Sequence, residues 1–387
     1  MHLSRIIAEA VSLRKELHKN PELCWQEVRT SAMIKTSLRQ WGISFRECAG
    51  TGVVAHIAED AVGEHLALRA DMDGLQVQEK AQVPYSSEIS GQMHCCGHDG
   101  HMAVLLATAR WLKDYETILP GPVTFIFQPA EEGGYGAREM IRDGCLEGVD
   151  KIYGWHNWPS IPFGHAVCPD GPVMAANGSF EMLIVGRGGH ASQPELCRDP
   201  VIAAAAVTMG LQQLVSRRLP PQSAAVVSVT SIDADSGETT IPDTVRLLGT
   251  VRMENSDGID MVLQSIAEIA QAIAGGYGVK AESQLYPRYP AVINAAQEAR
   301  TLRDGLRAIF GNNWHHGQTP TPIMASEDFS YYLQEVPGAF ALVGAGDGKI
   351  HSRPCHNAGY IFNDALMEPM VRLLIGLAGL ADPACER

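Results

Sequence analysis

No stretch of the chain approaches the ~20 consecutive apolar residues that a membrane-spanning helix requires, so no span is expected. The N-terminus lacks the charged, apolar, then small-residue order of a secretory signal. Residues 1–17 read instead as an amphipathic helix with Arg5, Arg14 and Lys15 spread through it. Positive charge is in deficit: 30 Lys and Arg stand against 44 Asp and Glu, a formal net charge of -14. That balance argues against nucleic acid and anionic membrane as partners. A disulfide framework is missing too, because the nine cysteines are odd in number and irregularly scattered. Free thiols and no export signal point to a reducing cytoplasm. No internal repeat or low-complexity segment is visible. With 387 residues, the chain is long enough for two or three domains and a large core that needs no staples.

Apolar residues at Ile6, Ile7, Ala10, Leu13 and Leu17 have helical spacing. A second helix is expected over 31–41, closed by Gly42. Apolar runs at 53–58, 65–70, 122–128 and 151–155 have strand character, and helices at 102–115 and 137–143 alternate with them. Such alternation predicts an α/β fold, a mostly parallel sheet with helices on both faces. Between 180 and 286 the order becomes β-α-β-β-α-β, the split unit of ferredoxin-like α+β domains. Prolines at 159, 162, 169 and 172 precede it, and prolines at 287 and 290 follow it. The expected organisation is a domain made of 1–175 and 288–387, interrupted by a smaller domain at 176–287.

The densest chemistry lies in Met93-His-Cys-Cys-Gly-His-Asp-Gly-His, where nine residues hold two cysteines, three histidines and an aspartate. Thiolate and imidazole bind borderline-soft transition metals, although buried structural cysteines would give the same composition. Further candidates fall at strand ends, where open α/β sheets bind ligands. Asp71 follows 66–70, Glu131 and Glu132 follow 123–127, and His156 is expected to end 152–155. Paired glutamates could divide metal binding from proton transfer, or could simply start a solvated helix. His351 and His356 form a late histidine pair.

Seven segments then occur in a fixed order: Arg69-Ala-Asp-Met-Asp-Gly, the Met93–His101 cluster, Phe127-Gln-Pro-Ala-Glu-Glu-Gly-Gly, Gly154-Trp-His-Asn, Gly186-Arg-Gly-Gly-His, Ser326-Glu-Asp-Phe and His356-Asn-Ala-Gly-Tyr-Ile-Phe-Asn-Asp. With them the chain strongly resembles the N-acyl-amino-acid amidohydrolases, which include hippurate hydrolases and plant auxin-conjugate hydrolases among the aminoacylase-like metallopeptidases. The resemblance implies two divalent metal ions per subunit, manganese or zinc, with cobalt or nickel also suited to such a site. It makes Cys96 the ligand shared by both ions. Glu132 and His356 would complete one ion's protein ligands, and His98 and His156 the other's. Glu131 would be the general acid/base, and Asp71 would orient an imidazole. His190 would reach the active site of a partner copy and stabilise the tetrahedral oxyanion. The inserted domain would then act as lid and dimer interface, in a homodimer or dimer of dimers. The implied substrate is a small N-acyl amino acid; the alternatives are a dipeptidase or aminopeptidase of the same clan, or a metal-binding homologue that has lost the chemistry.

The remaining candidates weigh less. His94 and His101 read as structural or solvated, and Cys95 as a small core residue. Arg252 could meet a substrate carboxylate or make an ion pair at a strand edge. Two departures bear on substrate placement. Thr239 stands where relatives usually carry asparagine, and Gln76 where they usually carry proline.

Overall fold

The computed structural model describes residues 3–382. The chain divides into two compact units, one made of the residues up to 173 with 293–320 and those from 328 onward, the other of 174–292 with 321–327. Among the described residues no helix is long and apolar enough to cross a membrane.

The first unit is built on a seven-stranded sheet in the order Ser44–Cys48, Gly52–Ile57, Val123–Gln128, Leu66–Asp71, Lys151–Pro162, Gly338–Gly346, Ala166–Val167. The four strands from Val123–Gln128 to Gly338–Gly346 run parallel. Three of these, Val123–Gln128, Leu66–Asp71 and Gly338–Gly346, are buried at every position, the signature of parallel strands covered on both faces. The flanking pairings are antiparallel, so the sheet is mixed at its edges. One cause is local: Cys48 pairs with Gly52, and a link this short can only return antiparallel. Ala49 and Gly50 make that return with positive φ, 49° and 80°.

The helices Leu3–Lys19 and His98–Asp114 both contribute to the core of this unit. Their contact includes a buried charge network. Arg14, fully buried, donates to Asp99 and to Asp364, each at 3.3 Å. His18 lies 2.8 Å from Asp99 and 3.4 Å from Glu79. Burial alone would depress the His18 pKa, but the charges and hydrogen bonds of Asp99 and Glu79 outweigh it and push the imidazole up to about 9. The folded value lies above the unfolded one of about 6.5, so the charged ring stabilises the fold fully below that pH. This contribution is lost as pH rises through about 9. His18→Gln is therefore expected to flatten the fall in melting temperature between pH 6.5 and 9. An unchanged slope in thermal melts would contradict this account of the network.

The second unit contains Ala176–Val185, Pro200–Gln213, Ala225–Asp233, Thr244–Met253, Asp257–Gly276 and Lys280–Pro287 in chain order. Its sheet order is Ala225–Asp233, Thr244–Met253, Ala176–Val185, Lys280–Pro287, all antiparallel. This is the ferredoxin-like order of a split β-α-β unit. Burial alternates along Ala176–Val185, as expected when helices cover one face only. Residues 321–327 also belong to this unit, although more than thirty residues of chain separate them from Pro287.

Candidate metal centre

The 93–101 cluster lies across the start of a helix. Cys96 sits in the preceding loop, and His98 is the first residue of His98–Asp114. Gly97 between them has φ 104°, and a Cβ there would come within 2.0 Å of the Asn157 Oδ1. Only glycine permits both that backbone and that approach. His156 lies inside a strand that runs on to Pro162 rather than ending at Trp155. The strand continues because its pairing with Gly338–Gly346 carries through His156 to Trp158.

Two triads emerge, Cys96 with His98 and His156, and Cys96 with Glu132 and His356; within each, the possible ligand atoms lie within 4.8 Å of one another. The Cys96 sulfur belongs to both. It lies 3.2 Å from His156 Nε2 and 3.3 Å from His356 Nε2, and His356 Nε2 lies 3.1 Å from Glu132 Oε1. A tetrahedral ion with sulfur at ~2.3 Å and nitrogen at ~2.05 Å holds those two atoms about 3.5 Å apart. The observed spacings are within a few tenths of that.

The His156 tautomer and the field at His98 fit as well. His156 Nδ1 donates to its neighbour's carbonyl, Asn157 O, at 2.7 Å. The Nε2 lone pair is thereby turned toward Cys96. Neither nitrogen of the buried His98 makes a hydrogen bond of good geometry. The carboxylates nearest to them are Asp73 at 3.4 Å and Asp71 at 3.7 Å. Burial opposes charge on this ring, yet Asp71, Asp73 and Glu132 raise it to about 10. A field that holds a proton so firmly also favours a divalent cation. Cys96 is raised well above the ordinary thiol value, first by its hydrogen bond with Cys355 and then by burial and Glu132.

The competing histidines separate on contacts. His101 is engaged at both nitrogens, with Asp71 Oδ1 at 2.6 Å and Asn157 Oδ1 at 2.7 Å, which leaves no lone pair for a cation. The imidazole that Asp71 holds at hydrogen-bond distance is therefore that of His101. Arg69 grips the other Asp71 oxygen at 2.7 Å. His94 is buried rather than solvated, and neither ring nitrogen makes a hydrogen bond. Burial drives its pKa down to about 4. Cys95 is a fully buried member of the core. His351 Nδ1 meets the Ile361 carbonyl at 3.1 Å, apart from both triads.

Glu131 and Glu132 lie in a tight turn rather than on a solvated helix start. Ala130 precedes them with φ 57°, an uncommon conformation for a residue with a Cβ. Glu131 is 6 % exposed. Asp73 accepts the backbone N–H of Glu131 at 3.1 Å and that of Glu132 at 3.0 Å. This contact of Asp73 with a turn almost sixty residues away has no local signal in the sequence, apart from the repeated aspartate in Asp71-Met72-Asp73.

In the second unit, His190 is exposed and pairs with Thr240. The Ser192 backbone N–H donates to His190 Nδ1 at 3.2 Å, which places the neutral ring's proton on Nε2. The Ala191 N–H donates to the Thr239 carbonyl at 2.9 Å, so the substituted position adjoins His190. Arg252 bonds to Ser326 Oγ at 2.6 Å; burial and Arg288 lower its pKa.

Residues 67–377 match peptidase family M20/M25/M40, and the chain belongs to this family of metal-dependent hydrolases; it is a metal-dependent amidohydrolase. It is similar to the N-acetyl-L-cysteine deacetylase of Bacillus subtilis, 38 % identical over 91 % of this chain and 84 % of the relative. It is similar to the hippurate hydrolase of Campylobacter jejuni, 33 % identical over 93 % of each. Among solved structures, the Bacillus subtilis YXEP protein, described as a dinuclear metal binding peptidase of the M20 family, superposes with a TM-score of 0.82 at 32 % identity, covering 97 % of this chain and 98 % of that one.

Proposed function

We propose that the chain hydrolyses the amide bond of N-acyl amino acids, releasing a carboxylic acid and a free amino acid. The observation that carries the site assignment is the pair of triads sharing one sulfur. In this reading Cys96, His98 and His156 hold one divalent ion, and Cys96, Glu132 and His356 hold the other. When bound, two such ions polarise the amide carbonyl and acidify water. Glu131 takes the proton of the attacking water and returns it to the leaving nitrogen, so one buried carboxylate serves both half-steps. Asp73 holds the Glu131–Glu132 backbone during that exchange. Asp71 fixes His101, which lies 4.8 Å from the His156 ring and limits its movement.

His190 is the proposed oxyanion donor, acting through Nε2–H on the site of a second copy in a homodimer or dimer of dimers. The 174–292 unit would then serve as lid and interface. Arg252 is the proposed contact for the substrate carboxylate, a group that guanidinium suits. Thr239, beside His190, would adjust how the scissile or carboxylate end of the substrate is seated.

The test is a substrate panel on protein reconstituted separately with manganese, zinc, cobalt and nickel. N-acetyl and N-benzoyl amino acids are expected to be cleaved, chelation to abolish turnover, and added metal to restore it. Cleavage of dipeptides without cleavage of N-acyl amino acids would replace this reading with a peptidase.

A further inference from the structure

The turn before Glu131 is held by a second carboxylate that the reaction scheme does not use. Glu27 is fully buried. Its Oε1 accepts the Ala130 N–H at 2.9 Å and the Trp25 N–H at 3.0 Å. Its Oε2 accepts the Thr51 hydroxyl at 2.7 Å. Together with the Asp73 contacts, three successive amides, those of Ala130, Glu131 and Glu132, each donate to a buried carboxylate. The first belongs to the residue with left-handed φ, 57°. An alanine in that conformation is held by its surroundings, since its own preference lies elsewhere.

We infer that Glu27 is a positioning residue, its carboxylate holding the Ala130 amide so that the turn presents Glu131 and Glu132 in working geometry. The inference rests on the roles given to Glu131 and Glu132 above. All three contacts of the Glu27 carboxyl are N–H or O–H donors, so it acts as an acceptor at a fixed place. What matters is an acceptor oxygen at the right reach. A glutamine supplies one and turns its NH2 toward Thr51 Oγ1, which can accept. An aspartate keeps the charge but withdraws the oxygens by one C–C bond, about 1.5 Å.

Charge-conserving and shape-conserving substitutions should therefore behave oppositely to charge-based expectation. Glu27→Gln should keep kcat and manganese affinity within about threefold of wild type. Glu27→Asp should lower kcat and weaken manganese binding to the metal-free protein by roughly 10–100-fold each, as loss of a group behind a metal ligand does. KM should stay within about threefold, because substrate binding is untouched. A third readout needs neither metal nor turnover. Hydrogen exchange of the Ala130–Gly133 amides should speed up in Glu27→Asp and not in Glu27→Gln, with melting temperature and exchange elsewhere preserved. If wild-type protein cleaves no N-acyl amino acid, the proposed function fails while the exchange result still decides the role of Glu27. Equal loss in both variants, or wild-type behaviour of Glu27→Asp, overturns the inference.

Discussion

Glu131→Gln is expected to lower kcat by about 1,000-fold, in the middle of the range for removing a general acid/base, while leaving the metal content unchanged. That factor corresponds to about 4 kcal/mol of lost transition-state stabilisation. The expectation follows from position. Glu131 is 6 % exposed, its N–H is held by Asp73, and it belongs to neither triad built on Cys96. A carboxamide fits the same space and keeps the turn, but it cannot take up a proton. The checks are steady-state kinetics and elemental analysis of the same sample. More than a tenth of wild-type kcat would remove Glu131 from the proton-transfer role. Loss of metal would instead make it a ligand.

Cys96→Ser should do more than any single histidine change, because its sulfur is the only atom common to both triads. A serine hydroxyl stays protonated near neutrality and cannot replace a thiolate between two cations. Metal content is expected to fall below one ion per chain, with kcat at least about 1,000-fold lower. His356→Ala should be milder in binding, since Cys96, His98 and His156 remain as a triad. Equilibrium dialysis with metal analysis separates the two. A Cys96→Ser protein that loads two ions as tightly as wild type would refute the shared-sulfur arrangement.

Much of this is legible in the sequence, for reasons that differ by residue. The Cys-x-His spacing, the glutamate pair after a buried strand and His156 in an apolar run are local patterns. The alternation of strands and helices also foretold the four parallel strands, because doubly covered strands read as continuous apolar runs. The antiparallel edges were less visible, because their direction is set by connection length and not by composition. The apolar run that stops at Trp155 puts His156 at a strand end, whereas ladder pairing with Gly338–Gly346 carries the strand to Pro162. The contacts of Asp73 and Glu27, and the identity of His101 and Asn157 as the partners next to Asp71, were hidden for a third reason. Each acts through hydrogen bonds to segments far away in sequence, and no spacing rule anticipates an acceptor for a distant amide. The same holds for residues 321–327, which the chain order places after the second unit yet which fold with it.

The most direct test of the central claim is anomalous diffraction from crystals of the wild-type protein loaded with manganese or zinc. The account predicts two peaks, both within bonding distance of Cys96 Sγ, about 2.3 Å for zinc. One peak should be completed by His98 and His156, the other by Glu132 and His356. A single closed four-coordinate ion, or two ions that do not share that sulfur, would contradict it.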